Sequence, residues 1–315
     1  MNPLSALYGA AVRSRNELYD RQVIAIQRLR GPVVSVGNIS VGGSGKTPFV
    51  ILLGELLNTR GVAFDVLMRG YGRETRGVAV VDPAGSPAHY GDEPLLIASK
   101  LQVPVIVGED RHKAGRLAES KFGLRMHLLD DGFQHRRLAR DFDIVLVSSA
   151  DAHDALLPVG KLREPIPSLQ RADAIVLTNQ ASGDGLPIRN QLLWRVNRGI
   201  VAPAIEGPAI AFCGIARPEN FFADLRAAGI TLATTRGFRD HHAYNDHDVR
   251  ELLRLRRQNG GAPFIVTEKD AINLGEKLKQ LQPAFVAPLR LELQGPEAAL
   301  DAMLAKVAER WRGAA

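Results

Sequence analysis

The residues with the plainest chemical purpose are Gly42, Gly43, Ser44, Gly45, Lys46 and Thr47. They follow the apolar run Pro32-Val33-Val34-Ser35-Val36-Gly37 and open an apolar helix that continues to about Asn58. Glycines let successive backbone N–H groups face a β-phosphate, a helix N-terminus adds positive potential, and a lysine reaches the β/γ oxygens. The hydroxyl of Thr47 then stands where a Mg²⁺ ligand is needed. Ser40 replaces the first glycine of the usual G-x-x-x-x-G-K-[ST] pattern, so the cradle is kept with an altered entry. Such a loop needs an acidic partner at the end of another core strand. His127-Leu128-Leu129-Asp130-Asp131 supplies one, an apolar run closing on two carboxylates as a Walker B segment does. Neighbouring strand residues point to opposite faces, so both aspartates serve one site only where the strand is ending.

Three further clusters carry less information singly. Arg69-Gly70-Tyr71-Gly72 has glycines where a loop closes on a ligand, and Asp240-His241-His242 lies far away in sequence. Asp92, in Gly91-Asp92-Glu93-Pro94, is by default a helix cap. Gly132 to Arg137 is rich in hydrogen-bonding groups, Arg163-Glu164 reads as a surface ion pair, and Thr267 to Asp270 as a helix start capped by Thr267.

The elements that must position these groups are short apolar strands at 33–37, 62–68, 103–107, 125–129, 143–147 and 173–178, with helical segments between several of them. That alternation predicts a P-loop NTPase-like α/β fold, a mostly parallel sheet with helices on both faces. Strands at 209–213, 229–234 and 263–267, and a helix over 246–258 capped by Asn245, predict a smaller C-terminal α/β domain. Residues 183–187 are the best local punctuation for a linker. The domains are expected at 32–200 and 201–315, preceded by an N-terminal amphipathic helix within 1–31. Asn2 can cap that helix, Pro3 fits its first position, and Gly31-Pro32 stops it. Its roughly 27 residues would extend about 40 Å.

Composition narrows the classes. A chain of 315 residues with 45% apolar and 23% charged residues is that of a folded enzyme rather than a disordered or fibrous protein. The 40 Lys and Arg against 34 Asp and Glu, a formal charge of +6, suit an anionic partner. The single cysteine, Cys213, excludes an internal disulfide framework and points to a reducing compartment. No apolar run approaches the roughly 18 residues of a membrane span, and the first thirty residues lack a secretory signal. A guanine-reading N-K-x-D is absent at Leu177-Thr178-Asn179-Gln180, which disfavours a P-loop GTPase switch. Short basic clusters and 6% aromatics disfavour a nucleic-acid adaptor.

The motifs GGSGKTP at 42–48, RGYG at 69–72, GDEP at 91–94, DDGFQH at 130–135, LREP at 162–165, DHH at 240–242 and TEKD at 267–270 together resemble the tetraacyldisaccharide 4′-kinase family. The resemblance runs from about residue 5 to 290. It implies transfer of the ATP γ-phosphate to the 4′-hydroxyl of a lipid-linked, 1-phosphorylated glucosamine disaccharide in lipid A biosynthesis. By resemblance, Lys46 and Thr47 hold ATP and Mg²⁺, Asp130 and Asp131 complete the metal shell, and Asp92 is the general base. His241 assists it, with His242 as the fallback. Arg69, Tyr71, Gln134, His135, Arg163 and Glu164 are the weaker substrate candidates. A membrane-anchored substrate implies that the N-terminal helix lies on the cytoplasmic face of the inner membrane. No nucleic acid and no obligate protein partner is implied.

Overall fold

The computed structural model describes residues 2–43, 45–178 and 183–313, so Ser44 and the Asn179-Gln180 pair lie outside the described residues. Unbroken Val, Ile and Leu runs become strands because both faces of a parallel sheet are covered. In chain order the first part comprises α1 (Pro3–Asp20), β1 (Val33–Asn38), α2 (Lys46–Thr59), β2 (Phe64–Met68), β3 (Ala79–Val80), α3 (Pro87–Tyr90) and α4 (Asp92–Leu101). Next come β4 (Val105–Val107), α5 (Arg111–Phe122), β5 (Met126–Asp130), β6 (Phe142–Ser148), β7 (Ala174–Thr178) and β8 (Leu192–Ile200). The chain then forms β9 (Ala209–Cys213), α6 (Pro218–Ala227), β10 (Leu232–Gly237), α7 (Asp246–Gln258), β11 (Phe264–Val266), α8 (Glu268–Leu274) and β12 (Ala284–Val286). It ends with β13 (Leu289–Leu293) and α9 (Pro296–Arg312).

Among the described residues, nine strands make one sheet in the order β13-β8-β7-β6-β1-β5-β2-β4-β3. It is parallel except at its edges, where β3 opposes β4 and β13 opposes β8. A second, parallel sheet runs β10-β9-β11-β12. Strand β1 lies between β5 and β6, with Val36 level with both Asp130 and Ile144. That register brings the carboxyl ends of β1 and β5 to one edge, the crevice where open α/β sheets bind ligands. Phe49, Val50, Leu53 and Leu57 of α2 pack on Val34, Val36 and Leu128, which anchors the helix that follows the phosphate loop. Leu29, Ala114 and Ala118 cover the opposite face over Leu67 and Leu129.

Three expectations require correction. The N-terminal helix stops at Asp20 and spans 18 residues, because Gln22 takes a left-handed φ of 57°. Val23 and Ile24 then donate back to the Leu18 carbonyl, and Gln27 bridges to Leu138. One side of α1 is tied to the large-sheet body: Tyr8 donates to the Arg163 carbonyl at 3.0 Å and Arg15 to that of Gln134 at 2.6 Å. Leu4 and Leu7 point outward, 61% and 70% exposed. Second, residues 183–187 join β7 to β8 inside the large sheet, and the crossing to the second sheet falls at 201–208. Third, 201–315 is not continuous in space. Residues 209–286 build the second sheet, whereas β13 returns to cover the edge of β8, and Leu300, Met303 and Val307 of α9 join the first core. An unpaired nine-residue edge strand is a liability that this return removes. Among the described residues no helix is long and apolar enough to cross a membrane.

Gly37 is where β1 passes the turn after β5: a Cβ there would lie 2.5 Å from Phe133 Cβ and 2.8 Å from Phe133 N. Gly37→Ala is expected to lower stability by roughly 1–3 kcal/mol, read as an earlier urea midpoint with unchanged slope. A wild-type midpoint would show that the two segments can part there freely.

Candidate active site

The phosphate loop is built by conformation. Gly42, Gly43 and Gly45 have φ of 77°, 45° and 79°, values that side chains adopt only with strain. The residue before α2, Gly45, has no side chain to cap the helix, and a helix start of this kind directs backbone N–H groups toward an anion. The paired aspartates then part company. Asp130 ends β5 in extended conformation, while Asp131 turns at φ 52°. Asp131 meets Lys46 Nζ at 3.4 Å and accepts from Arg163 at 2.8 and 3.1 Å. Burial opposes its ionisation, but the bonds from Arg163 and the charge of Lys46 outweigh burial and hold the carboxyl far below its usual range. Asp130 is 4% exposed, accepts from Thr47 Oγ1 at 3.4 Å through Oδ2, and keeps Oδ1 buried without a hydrogen-bond partner. Burial, with Glu93 and Asp131 adding repulsion, pushes its carboxyl up to about 7. A buried acid with an orphaned oxygen beside a threonine hydroxyl is a hard-oxygen donor set that fits a divalent cation.

Across the same cleft, Asp92 opens α4 and is buried. Its Oδ1 accepts from the Glu93 N–H at 2.8 Å, and its Oδ2 from Asn273 Nδ2 at 3.0 Å. His241, which arrives from the loop after β10, places Nδ1 3.0 and 3.1 Å from the two carboxylate oxygens. His241 itself turns at φ 55°, its N–H donating to the Gly214 carbonyl, and the Tyr71 ring lies 5.0 Å away. Burial works against both charges of the pair. The hydrogen bond to His241 and the charge of Lys269 still hold Asp92 below its ordinary value, and Asp92 holds His241 above its own.

Thr47, Lys46, Asp130, Asp131, Arg163, Tyr71 and His241 line one cleft of about 1180 Å³, whereas Asp92 is buried behind its wall, next to Glu93 and His241. Small-molecule pockets are typically about 300–1,000 Å³, so there is room for a nucleotide and a second substrate together. Lys46, Thr47, Arg69, Tyr71 and Arg163 line the side of the large sheet, and Arg217, Asp240, His241 and Lys269 the side of the second. Four expected substrate contacts lie elsewhere. His242 bonds Asp248 at 2.9 Å and stacks on Phe238. Glu164, 2% exposed, binds Arg171 at 2.9 Å and Asn16 at 3.0 Å, so it anchors α1. Gln134 donates to the Asn38 carbonyl at 2.8 Å. His135 is half-buried, pushed down to about 4 by burial and by the charges of Arg111 and Arg140. Conversely, Lys269 and Asn273 reach Asp92 although 267–270 reads as an ordinary capped helix start. Lys269 is the lysine of the TEKD motif, while for Asn273 the four-residue spacing from it is the signal the sequence offers.

The opposite shifts of Asp92 and His241 fix a pH window. The depressed Asp92 contributes stability above the ordinary carboxyl value, lost as pH falls through its folded value. The raised His241 contributes below the ordinary 6.5, lost as pH rises through its folded value. Asp92→Asn should therefore lower the His241 titration midpoint, followed by NMR of the ring protons. An unmoved midpoint would mean that the two side chains are not coupled in solution.

Residues 1–309 match the family described as Tetraacyldisaccharide-1-P 4'-kinase. A tetraacyldisaccharide 4'-kinase of Koribacter versatilis (strain Ellin345) is 50% identical over 323 aligned residues, which cover 99% of this chain and 100% of that protein. One from Geobacter metallireducens is 37% identical over 327 residues, 96% of each. The crystal structure of "apo" form LpxK from Aquifex aeolicus in complex with ATP is similar at a TM-score of 0.80 and 34% identity, covering 97% of both chains. The match extends over nearly the whole length and over both sheets, and the chain belongs to the tetraacyldisaccharide-1-P 4'-kinase family.

Proposed function

We propose that this chain transfers the γ-phosphoryl group of ATP to the 4′-hydroxyl of a lipid-linked, 1-phosphorylated tetraacyl glucosamine disaccharide, a step of lipid A biosynthesis. The observation that carries the mechanism is that the phosphate loop of one sheet and His241 from the other line one cleft, with Asp92 bonded to His241 directly behind it. The acceptor oxygen forms a bond to the γ-phosphorus as the bond to the β-γ bridging oxygen breaks, and ADP leaves. Phosphoryl transfer is mostly positioning and neutralisation of charge. Lys46 and the N-terminus of α2 neutralise the β/γ oxygens, and Gly42, Gly43 and Gly45 shape the same cradle. The Asp92–His241 pair takes the acceptor's proton, with Asp92 supplying the negative charge and His241 orienting it.

Thr47 and Asp130 would hold Mg²⁺, with Asp131 beside them, and the ion would supply neutralisation of the nucleotide's phosphates. The orphaned Asp130 Oδ1 supports that choice. Arg69, Tyr71 and Arg163 are the substrate contacts we retain, because they line the cleft and an arginine fork suits phosphate oxygens. Residues 32–200 act as the kinase lobe together with β13 and α9, and 209–286 as the second lobe. Helix α1, with Leu4 and Leu7 outward and Arg13 near them in sequence, suits a peripheral position on the cytoplasmic face of the inner membrane. Neither a protein partner nor nucleic acid enters this scheme.

The test is ATP- and Mg²⁺-dependent phosphorylation of a 1-phosphorylated tetraacyl disaccharide in detergent micelles. Asp92→Ala and His241→Ala should each lower kcat by about a hundredfold or more while the KM for ATP stays within about twofold. A wild-type chain that makes no 4′-phosphate under these conditions would refute the kinase reading; two fully active variants would refute the base.

A further inference from the structure

We infer that Lys269 and Asn273 are positioning residues, presented from one face of α8 to fix which nitrogen of His241 carries the ring proton and how the Asp92 carboxylate is turned. The inference rests on the kinase reading above. Residues four apart on a helix stand one over the other, and this face of α8 packs on the start of α4. Lys269 Nζ lies 3.2 Å from Glu93 Oε1, 3.4 Å from Asp240 Oδ1, 3.3 Å from His241 Nε2 and 3.7 Å from Asp92 Oδ2. An ammonium donates and cannot accept. A neutral His241 therefore meets it through the Nε2 lone pair, which leaves the ring hydrogen on Nδ1, facing Asp92. With Asn273 donating to Oδ2 and the Glu93 N–H to Oδ1, the carboxylate is held at both oxygens and cannot rotate away.

Charge balance gives the arrangement its chemical content. The groups facing His241 are Asp92 and Glu93 from α4, Asp240 beside it, Lys269 from α8, and the Tyr71 ring from the loop after β2. Three carboxylates without a cation among them would keep the imidazole protonated and unable to help take up the acceptor's proton. Lys269 offsets that field. The anchoring of α8 does not depend on either residue. Thr267 caps it, and Asp270 accepts from the Gly214 N–H at 2.7 Å and from the Tyr244 hydroxyl at 2.8 Å.

The experiment follows the His241 ring resonance by NMR in the full chain, assigned by its loss in His241→Gln, alongside kcat as a function of pH. Lys269→Met should raise the His241 midpoint by about one pH unit, carry the acidic limb of kcat upward with it, and lower kcat roughly tenfold at neutral pH. The ATP KM should stay unchanged, and Lys269→Arg should return the midpoint towards wild type. Asn273→Ala should lower kcat by a similar factor without moving the ATP KM. If Lys269→Met does not fold, Lys269→Gln, uncharged and polar, gives the same titration reading. An active wild type whose Lys269→Met or Lys269→Gln variant keeps both the midpoint and the pH profile overturns the inference. A wild type that phosphorylates nothing refutes the kinase reading, while the titration still reports on the clamp.

Discussion

Four carboxylates gather at one cleft: Asp92 and Asp130 are buried, while Glu93 and Asp131 are half-buried and line the cleft together with Asp130. Burying an ionised acid costs several kcal/mol unless a cation or a set of donors offsets it. The offsets here come from other elements. Asp131 is neutralised by Lys46 at the start of α2 and by Arg163 from the segment that crosses the phosphate-loop entry. Asp92 is neutralised entirely across the cleft, by His241 and Lys269 with Asn273. Of the four, Asp130 alone is left short, its Oδ1 orphaned and its carboxyl raised to about 7, beside the Thr47 hydroxyl. The site's electrostatics thus require both sheets, and the sheets are joined partly by those same charges.

Backbone geometry makes this compensation possible. Asp130 and Asp131 are adjacent in the chain yet answer to different partners, because the strand ends between them and Asp131 adopts a left-handed φ. The same conformation at His241 turns its ring back toward α4 while its neighbour His242 enters the hydrogen-bonded cap of α7. Non-glycine residues with positive φ persist only where the surroundings hold them. At His241 the Gly214 carbonyl and the Asp240 carboxylate both bind the backbone N–H. A Cβ on Gly214 would come within 2.9 Å of His242 Cβ, so the loop after β9 and the DHH segment fit only with a glycine between them.

The large sheet is closed by segments remote in sequence. Helix α1 is fastened to the LREP and DGFQH segments, so residues that border the site also carry the N-terminal helix. At the other edge β13 pairs with β8, from Leu289 against Ile200 to Leu293 against Val196. Residues of β13 therefore line the cleft beside α2, against which β13 packs. The polypeptide enters the second sheet from β8 and leaves it into β13, so two chain connections tie the second sheet to the first.

What the sequence determined by itself was local. The phosphate loop, the apolar strand ending in Asp130, and helix α7 with its Asn245–Asp248 capping box follow from glycine conformations, strand burial and end-capping, each acting over a few residues. The end of α1 was misread because the apolar pattern continues past Asp20 while one left-handed residue, Gln22, breaks the helix. The tertiary structure alone decided which polar residues of the motifs face the cleft. Glu164, Gln134 and His242 are motif members used to fasten the scaffold, and Lys269 and Asn273 look like ordinary helix residues until α8 packs on α4. Backbone preference is settled within a turn or two of chain, whereas charge compensation acts through space between groups that lie 149 and 181 residues apart.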